Sequence, residues 1–137
     1  LKFNGLVVLS VALALPAVFV PHGPATASDT VAFTAAQAAA GSKTYAQSCA
    51  SCHGATLKGI TAPALVGKTS AIAQQTVVEC YEYASQQMPM TAPGTLSKTQ
   101  YLDIVAFLLQ KNGHVAGLRP LTEAVAITGT ATIVAKP

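Results

Sequence analysis

The chain has 137 residues, 51% of them hydrophobic and 9% charged, with a formal net charge of +3. That length holds one domain and is short of two, and so apolar a composition excludes a disordered chain. The lysines and arginines are scattered singly, so nothing marks a nucleic-acid or other polyanion partner.

Lys2 precedes an apolar run from Leu6 to Val20, and the stretch ends in Ala25-Thr26-Ala27 before Ser28. A positive start, an apolar core and a small-x-small exit are the parts of a secretory signal peptide. The run is shorter than the ~20 residues a spanning helix needs, and Pro16 interrupts it. The sequence therefore predicts a signal peptide over residues 1–27, cleaved after Ala27, with an uncleaved anchor as the alternative. His22 would leave with it. Removing Lys2 from the balance of +3 leaves +2. Export puts neighbouring thiols at risk of oxidation, yet Cys49, Cys52 and Cys80 always leave one over when paired. A disulfide framework explains them poorly.

Residues 34–48 are rich in alanine and glutamine, good helix formers, and Thr34 with Gln37 has the S/T-x-x-Q spacing of a capping box. Gly41 interrupts this helix, either as a tolerated defect or where another helix comes close. Residues 54–68 hold three glycines and a proline without a period and read as a loop. A second helix is predicted from about Ser70 to Gln87, ended by Met88-Pro89 because a residue before proline is pushed out of the helical region. Thr91-Ala92-Pro93-Gly94 is turn chemistry. The clearest helix runs from Ser97 to Asn112: a second capping box, Ser97 with Gln100, then Tyr101, Ile104, Val105, Leu108 and Leu109 along one face. Asn112-Gly113 stops it. Residues 122–137 read as a mobile tail, with room for one short helical or extended piece. About three helices with long loops leave a domain whose apolar faces are short for its size, and a large bound cofactor would account for loops of that length.

Cys49-Ala50-Ser51-Cys52-His53 is C-x-x-C-H, the attachment pattern of haem c. Two thiols one helical turn apart match the two vinyl groups of the porphyrin, and His53 follows where its imidazole can bind the iron. A thioredoxin-like pair needs C-x-x-C opening a helix after a strand, and here it closes one. A zinc site would have to recruit Cys80 and His114 at spacings that match no finger pattern. A second axial ligand is expected downstream, and the chain has two methionines, Met88 and Met90. Met88, at a helix end and stiffened by Pro89, is the choice for the sixth position; a methionine elsewhere is more often core filler. His114, after a helix stop, reads as a surface residue, and Cys80, on the second helix, as a small buried hydrophobe, with an intermolecular disulfide as the alternative.

With CASCH and the run Met88-Pro89-Met90-Thr91-Ala92-Pro93-Gly94-Thr95-Leu96-Ser97 in view, the chain resembles the class I cytochromes c. It is closest to small bacterial periplasmic ones whose axial methionine loop reads M-P-x-x-A-P-G-x-L-S. The resemblance covers roughly residues 33–121 and implies an all-α cytochrome c fold, three to four helices with long loops wrapped around one covalent haem per chain. It implies a cytochrome domain over 28–121 with a tail at 122–137. It implies that Met88 is the ligand, that the Pro63 carbonyl accepts a hydrogen bond from the free nitrogen of His53, and that Leu65 lies against the haem. It implies that Gly41, with Tyr45 a turn later, meets Phe107 where the first and last helices cross, and that Tyr81 and Tyr83 occupy the usual aromatic positions before the methionine. Cys80 departs from the pattern, which usually has a larger aliphatic there.

The expected function is a periplasmic one-electron carrier, not an enzyme, between a donor dehydrogenase and an acceptor oxidase or reductase. Two other readings stand beside it. One is a fixed haem subunit of a membrane-associated dehydrogenase complex, held through the N-terminal segment. The other is a haem enzyme or ligand sensor whose sixth site opens.

Overall fold

The computed structural model describes residues 31–134. The expected signal peptide over 1–27 lies outside them, as do 135–137. Among the described residues five helices follow in order: α1 (Ala35–Ser48), α2 (Ala50–His53), α3 (Val77–Gln87), α4 (Lys98–Lys111) and α5 (Glu123–Thr128). Among the described residues the only strand-like pairings are two isolated bridges, Thr34 with Gly117 and Thr76 with Thr132. The expectation of an all-α fold holds. The count is five because α2 and α5, of four and six residues, are too short to show a hydrophobic period. No helix among the described residues is long and apolar enough to cross a membrane.

Helix α1 begins where the sequence says. Thr34 Oγ1 accepts the Gln37 N–H at 3.2 Å and Gln37 Oε1 accepts the Thr34 N–H at 3.3 Å. Gln37 has a further task. Its Nε2 donates to the Leu121 carbonyl at 2.9 Å and its Oε1 accepts the Leu121 N–H at 2.7 Å, so the residue that caps α1 also fixes the chain 84 positions on.

The core is centred on α4, whose residues Tyr101, Leu102 and Ile104–Leu109 are all buried. It packs chiefly on α1. Gly41 sits at the contact: a Cβ there would fall on the Asp103 carbonyl and 2.8 Å from the Ile104 nitrogen. One turn further, the Tyr45 and Phe107 rings stack tilted with centroids 5.3 Å apart. Gly41 thus meets the α4 backbone, and Tyr45 meets Phe107.

The structure corrects three expectations. Helix α3 starts at Val77, not Ser70: Thr76 and Glu79 form a capping box, and Gln74, at φ +69°, breaks any helix before it. Residues 122–134 are no mobile tail. The short helical piece for which the sequence left room is α5, and the segment buries Ala126, Ala131 and Ile133 in the same core. His114 is half-buried, and its Nε2 accepts the Val134 N–H at 3.2 Å; burial holds its pKa below the usual imidazole value.

Candidate haem site

The Cys-His segment is a joint between two helices. Cys49 caps α1 at its C-terminus, its N–H donating to Tyr45 O, and opens the single turn of α2. Cys49 is half-buried and Cys52 exposed, and neither is paired in a disulfide among the described residues. Burial pushes the Cys49 thiol up to about 11, with the charge of a neighbouring Cys52 thiolate adding to the effect. Beneath them the Tyr45 hydroxyl donates to Gly54 O at 2.8 Å, and burial, then Cys49, raises its pKa to about 12. It remains a neutral donor at any physiological pH.

A helix of one turn leaves its last carbonyls without partners. Here the loop that follows supplies them. The N–H groups of Ile60, Thr61 and Ala62 converge on Cys52 O at 3.0, 3.1 and 3.1 Å, and Gly59 N–H reaches His53 O at 2.8 Å. Gly59 adopts φ +83°, and a Cβ there would lie 2.6 Å from Ala62 O; only glycine is at ease in that position. The loop's return carries the Pro63 carbonyl to 2.8 Å from His53 Nδ1. A carbonyl can only accept, so Nδ1 bears a proton, and in the neutral ring the lone pair is then on Nε2. This is the tautomer a metal-ligating imidazole requires, and such an outer bond fixes the ring and raises its basicity.

Leu65 is half-buried against the core, its N–H donating to Leu57 O at 2.7 Å. Its own carbonyl accepts from Asn112 Nδ2 at 2.9 Å, and the same amide donates to Leu108 O at 2.9 Å. Met88, the C-cap of α3, is half-buried, whereas Met90 is 78% exposed. The Tyr101 hydroxyl donates to Met88 O at 2.6 Å and accepts the Leu96 N–H at 3.4 Å, bracing both ends of the methionine loop. The structure therefore joins His53 to Pro63 directly. It ties the Leu65 loop to the end of α4 and Met88 to its start.

Three contributors give little sign in the sequence. Tyr101 reads as one more apolar residue of α4, although a buried tyrosine needs a partner for its hydroxyl. Asn112 reads as a stop signal but is 2% exposed and bonded to two carbonyls. Leu57, 2% exposed, takes φ +60°, which no pattern announces. Of the two tyrosines on α3, Tyr81 is buried and Tyr83 is 58% exposed. Cys80 is 4% exposed, packed in the core, and burial pushes its thiol to about 12. Since the thiolate is the reactive form, a thiol-alkylating reagent should leave Cys80 unmodified in the folded protein and modify it in denaturant. Prompt labelling of the native chain at Cys80 would contradict this burial.

Two thiols on one turn, an imidazole with a free Nε2 and a thioether at the end of a separate helix are the donor set that haem c takes. The chemistry of these residues fits that group, and with the helical fold it defines a c-type cytochrome, a haem c electron carrier. The chain belongs to the family described as cytochrome C oxidase, cbb3-type, subunit III, whose model matches residues 36–108. Among solved structures it is similar to a chain of the sulfane dehydrogenase SoxCD from Paracoccus pantotrophus, with 31% identity and a TM-score of 0.50. The match takes in 57% of this chain and 44% of that one, so the present chain spans less than half of its length. No curated protein matches. Covalently bound haem c is the cofactor.

Proposed function

We propose that the protein is an exported, periplasmic carrier of single electrons, taking them from a dehydrogenase and passing them to a terminal acceptor. The observation that carries this reading is the His53 Nδ1 contact with Pro63 O inside a C-x-x-C-H turn. It prepares the imidazole to bind iron, and no redox disulfide would need it.

Each residue then has a part. The Cys49 and Cys52 thiols would hold the haem through thioether bonds, each formed by adding sulfur and hydrogen across a vinyl double bond, with no outside oxidant. His53 Nε2 would bind the iron, the ring held in orientation by the Pro63 carbonyl. Met88 would supply its sulfur as a second ligand to the iron, with Tyr101 fixing the backbone it hangs from. Leu65, half-buried against the core, would lie against the haem. When bound, the haem supplies a one-electron couple whose potential is set by its ligands, burial and hydrogen bonds. Cys52 is exposed, and Ile60, bonded to its carbonyl, is 71% exposed, as is Met90 at 78%. A small net charge and these exposed apolar residues favour docking through apolar contact.

A second reading is favoured by the structural likeness. The similar chain belongs to a sulfane dehydrogenase, so this domain would serve as the electron-accepting module of a dehydrogenase rather than a free shuttle. Both readings require the same test. The chain, produced with haem-attachment machinery and recovered from the periplasm, should have a reduced-minus-oxidised cytochrome c spectrum and the mass of one added haem. Size analysis of the native material then separates a lone carrier from a complex. Colourless protein with both Cys49 and Cys52 as free thiols would overturn both readings.

A further inference from the structure

The segment after α5 is bonded to the start of α3. Gln74 N–H donates to Ile133 O at 3.1 Å, Ile133 N–H to Gln75 O at 2.7 Å and Val77 N–H to Ala131 O at 2.9 Å. These bonds pair the two segments antiparallel about the bridge between Thr76 and Thr132. Val77 is the first residue of α3, and its N–H has no acceptor inside the helix; Ala131 supplies one. Ile133 is fully buried, as is Ala126 of α5. Helix α5 packs on α3 and α4, and Glu123 pairs with Lys98 at the start of α4 at 2.8 Å. The segment is thus anchored at both ends, by this ion pair and by the His114 bond to Val134. Helix α3 runs from this clasp without a break to Met88, its C-cap.

We propose that residues 131–133, with Ile133 as their anchor, are a positioning element for Met88: by holding the start of α3 they set how often the methionine sulfur leaves the iron. The proposal rests on the reading of Met88 as the sixth ligand. Met88 is held by the helix behind it and, through its carbonyl, by the Tyr101 hydroxyl and the Gly94 N–H. Proteins open locally through the units with the fewest buried contacts, and α3 packs far less extensively on α4 than α1 does. Releasing 131–133 removes the acceptor for Val77 N–H, the backbone bonds to Gln74 and Gln75 and the buried Ile133 side chain, so α3 becomes the unit that opens. The crossing of α1 and α4, which carries the Cys-His segment, does not depend on that clasp.

The test uses the haem-loaded full chain and four proteins: parent, Ile133→Ala, Phe33→Leu and Met88→Ala. Phe33 is also fully buried, but its carbonyl is bonded to Gly117 rather than to α3, so it reports general loss of stability. Cyanide binding to the oxidised protein reads how often the sixth site opens. The near-infrared sulfur-to-iron absorption band reads methionine ligation, and amide hydrogen exchange reads α3. Ile133→Ala should bind cyanide about tenfold faster, equivalent to ~1.4 kcal/mol of easier local opening. Its α3 amides should exchange faster while those of α1 stay protected. Phe33→Leu should leave the cyanide rate near that of the parent. Should Ile133→Ala fail to mature, Ile133→Val carries the same expectation at roughly threefold, the smaller deletion leaving a smaller cavity. An unchanged rate in the Ile133 variants, or an equal rise in Phe33→Leu, overturns the clasp while leaving Met88 in place. If Met88→Ala itself alters neither the band nor the rate, the ligand assignment fails and the proposal with it.

Discussion

Met88→Ala is expected to lower the reduction potential by on the order of 0.2 V, a quarter of the ~0.8 V range over which axial ligands tune haem proteins. A thioether favours the ferrous state, and its loss leaves water or nothing in its place. For a one-electron couple, where ~59 mV is tenfold, that is more than a thousandfold in the equilibrium with any partner. The reduced variant should also bind carbon monoxide readily, whereas the parent should bind it poorly. Met90→Ala should do neither. Met90 is 78% exposed, while Met88 is half-buried with its carbonyl held 2.6 Å from the Tyr101 hydroxyl. Potentiometric titration of the two variants settles the matter, and a large shift with Met90→Ala beside a small one with Met88→Ala would reverse the assignment.

The second large effect concerns the fold. Gly41→Ala should destabilise the protein by more than the ~1–3 kcal/mol typical of overpacked cores. The added carbon would meet the Asp103 carbonyl of α4, which is backbone and cannot turn aside as a side chain can. Alanine is the better helix former by ~1 kcal/mol, a gain too small to offset the clash. The converse change on the exposed face of the same helix, Ala39→Gly, should cost only that ~1 kcal/mol. Guanidinium unfolding of both variants, followed by far-ultraviolet dichroism, gives the comparison; a Gly41→Ala midpoint at or above that of the parent would mean the two helices can part without loss.

Local signals in the sequence were enough for much of this. Thr34 with Gln37 and Ser97 with Gln100 mark the starts of α1 and α4 because a capping box is complete within four residues. The C-x-x-C-H run marks the attachment site for the same reason. The third box, Thr76 with Glu79, has the same form, but helix-compatible residues from Ser70 onward mask it, and the positive φ of Gln74 leaves no trace in a polar side chain. What reading along the chain does not reveal is long-range. The burial of Ile133 depends on a partner nearly sixty residues earlier, and β-branched residues without a neighbouring strand look like loose chain. The hydroxyl of Tyr101 and the amide of Asn112 find their acceptors on other elements, so period and propensity show the helix face but not its polar tasks.

The positions of Tyr101 and Asn112 bear on the speed of electron exchange. One near the beginning of α4 braces the loop below Met88, and the other just past its end braces the loop below Leu65. On the proposed reading, in which Met88 and Leu65 flank the haem, a single helix stands behind both and should carry their thermal excursions together. An iron centre whose surroundings keep the same spacing in both oxidation states has a small inner reorganisation energy, and its self-exchange should be correspondingly fast.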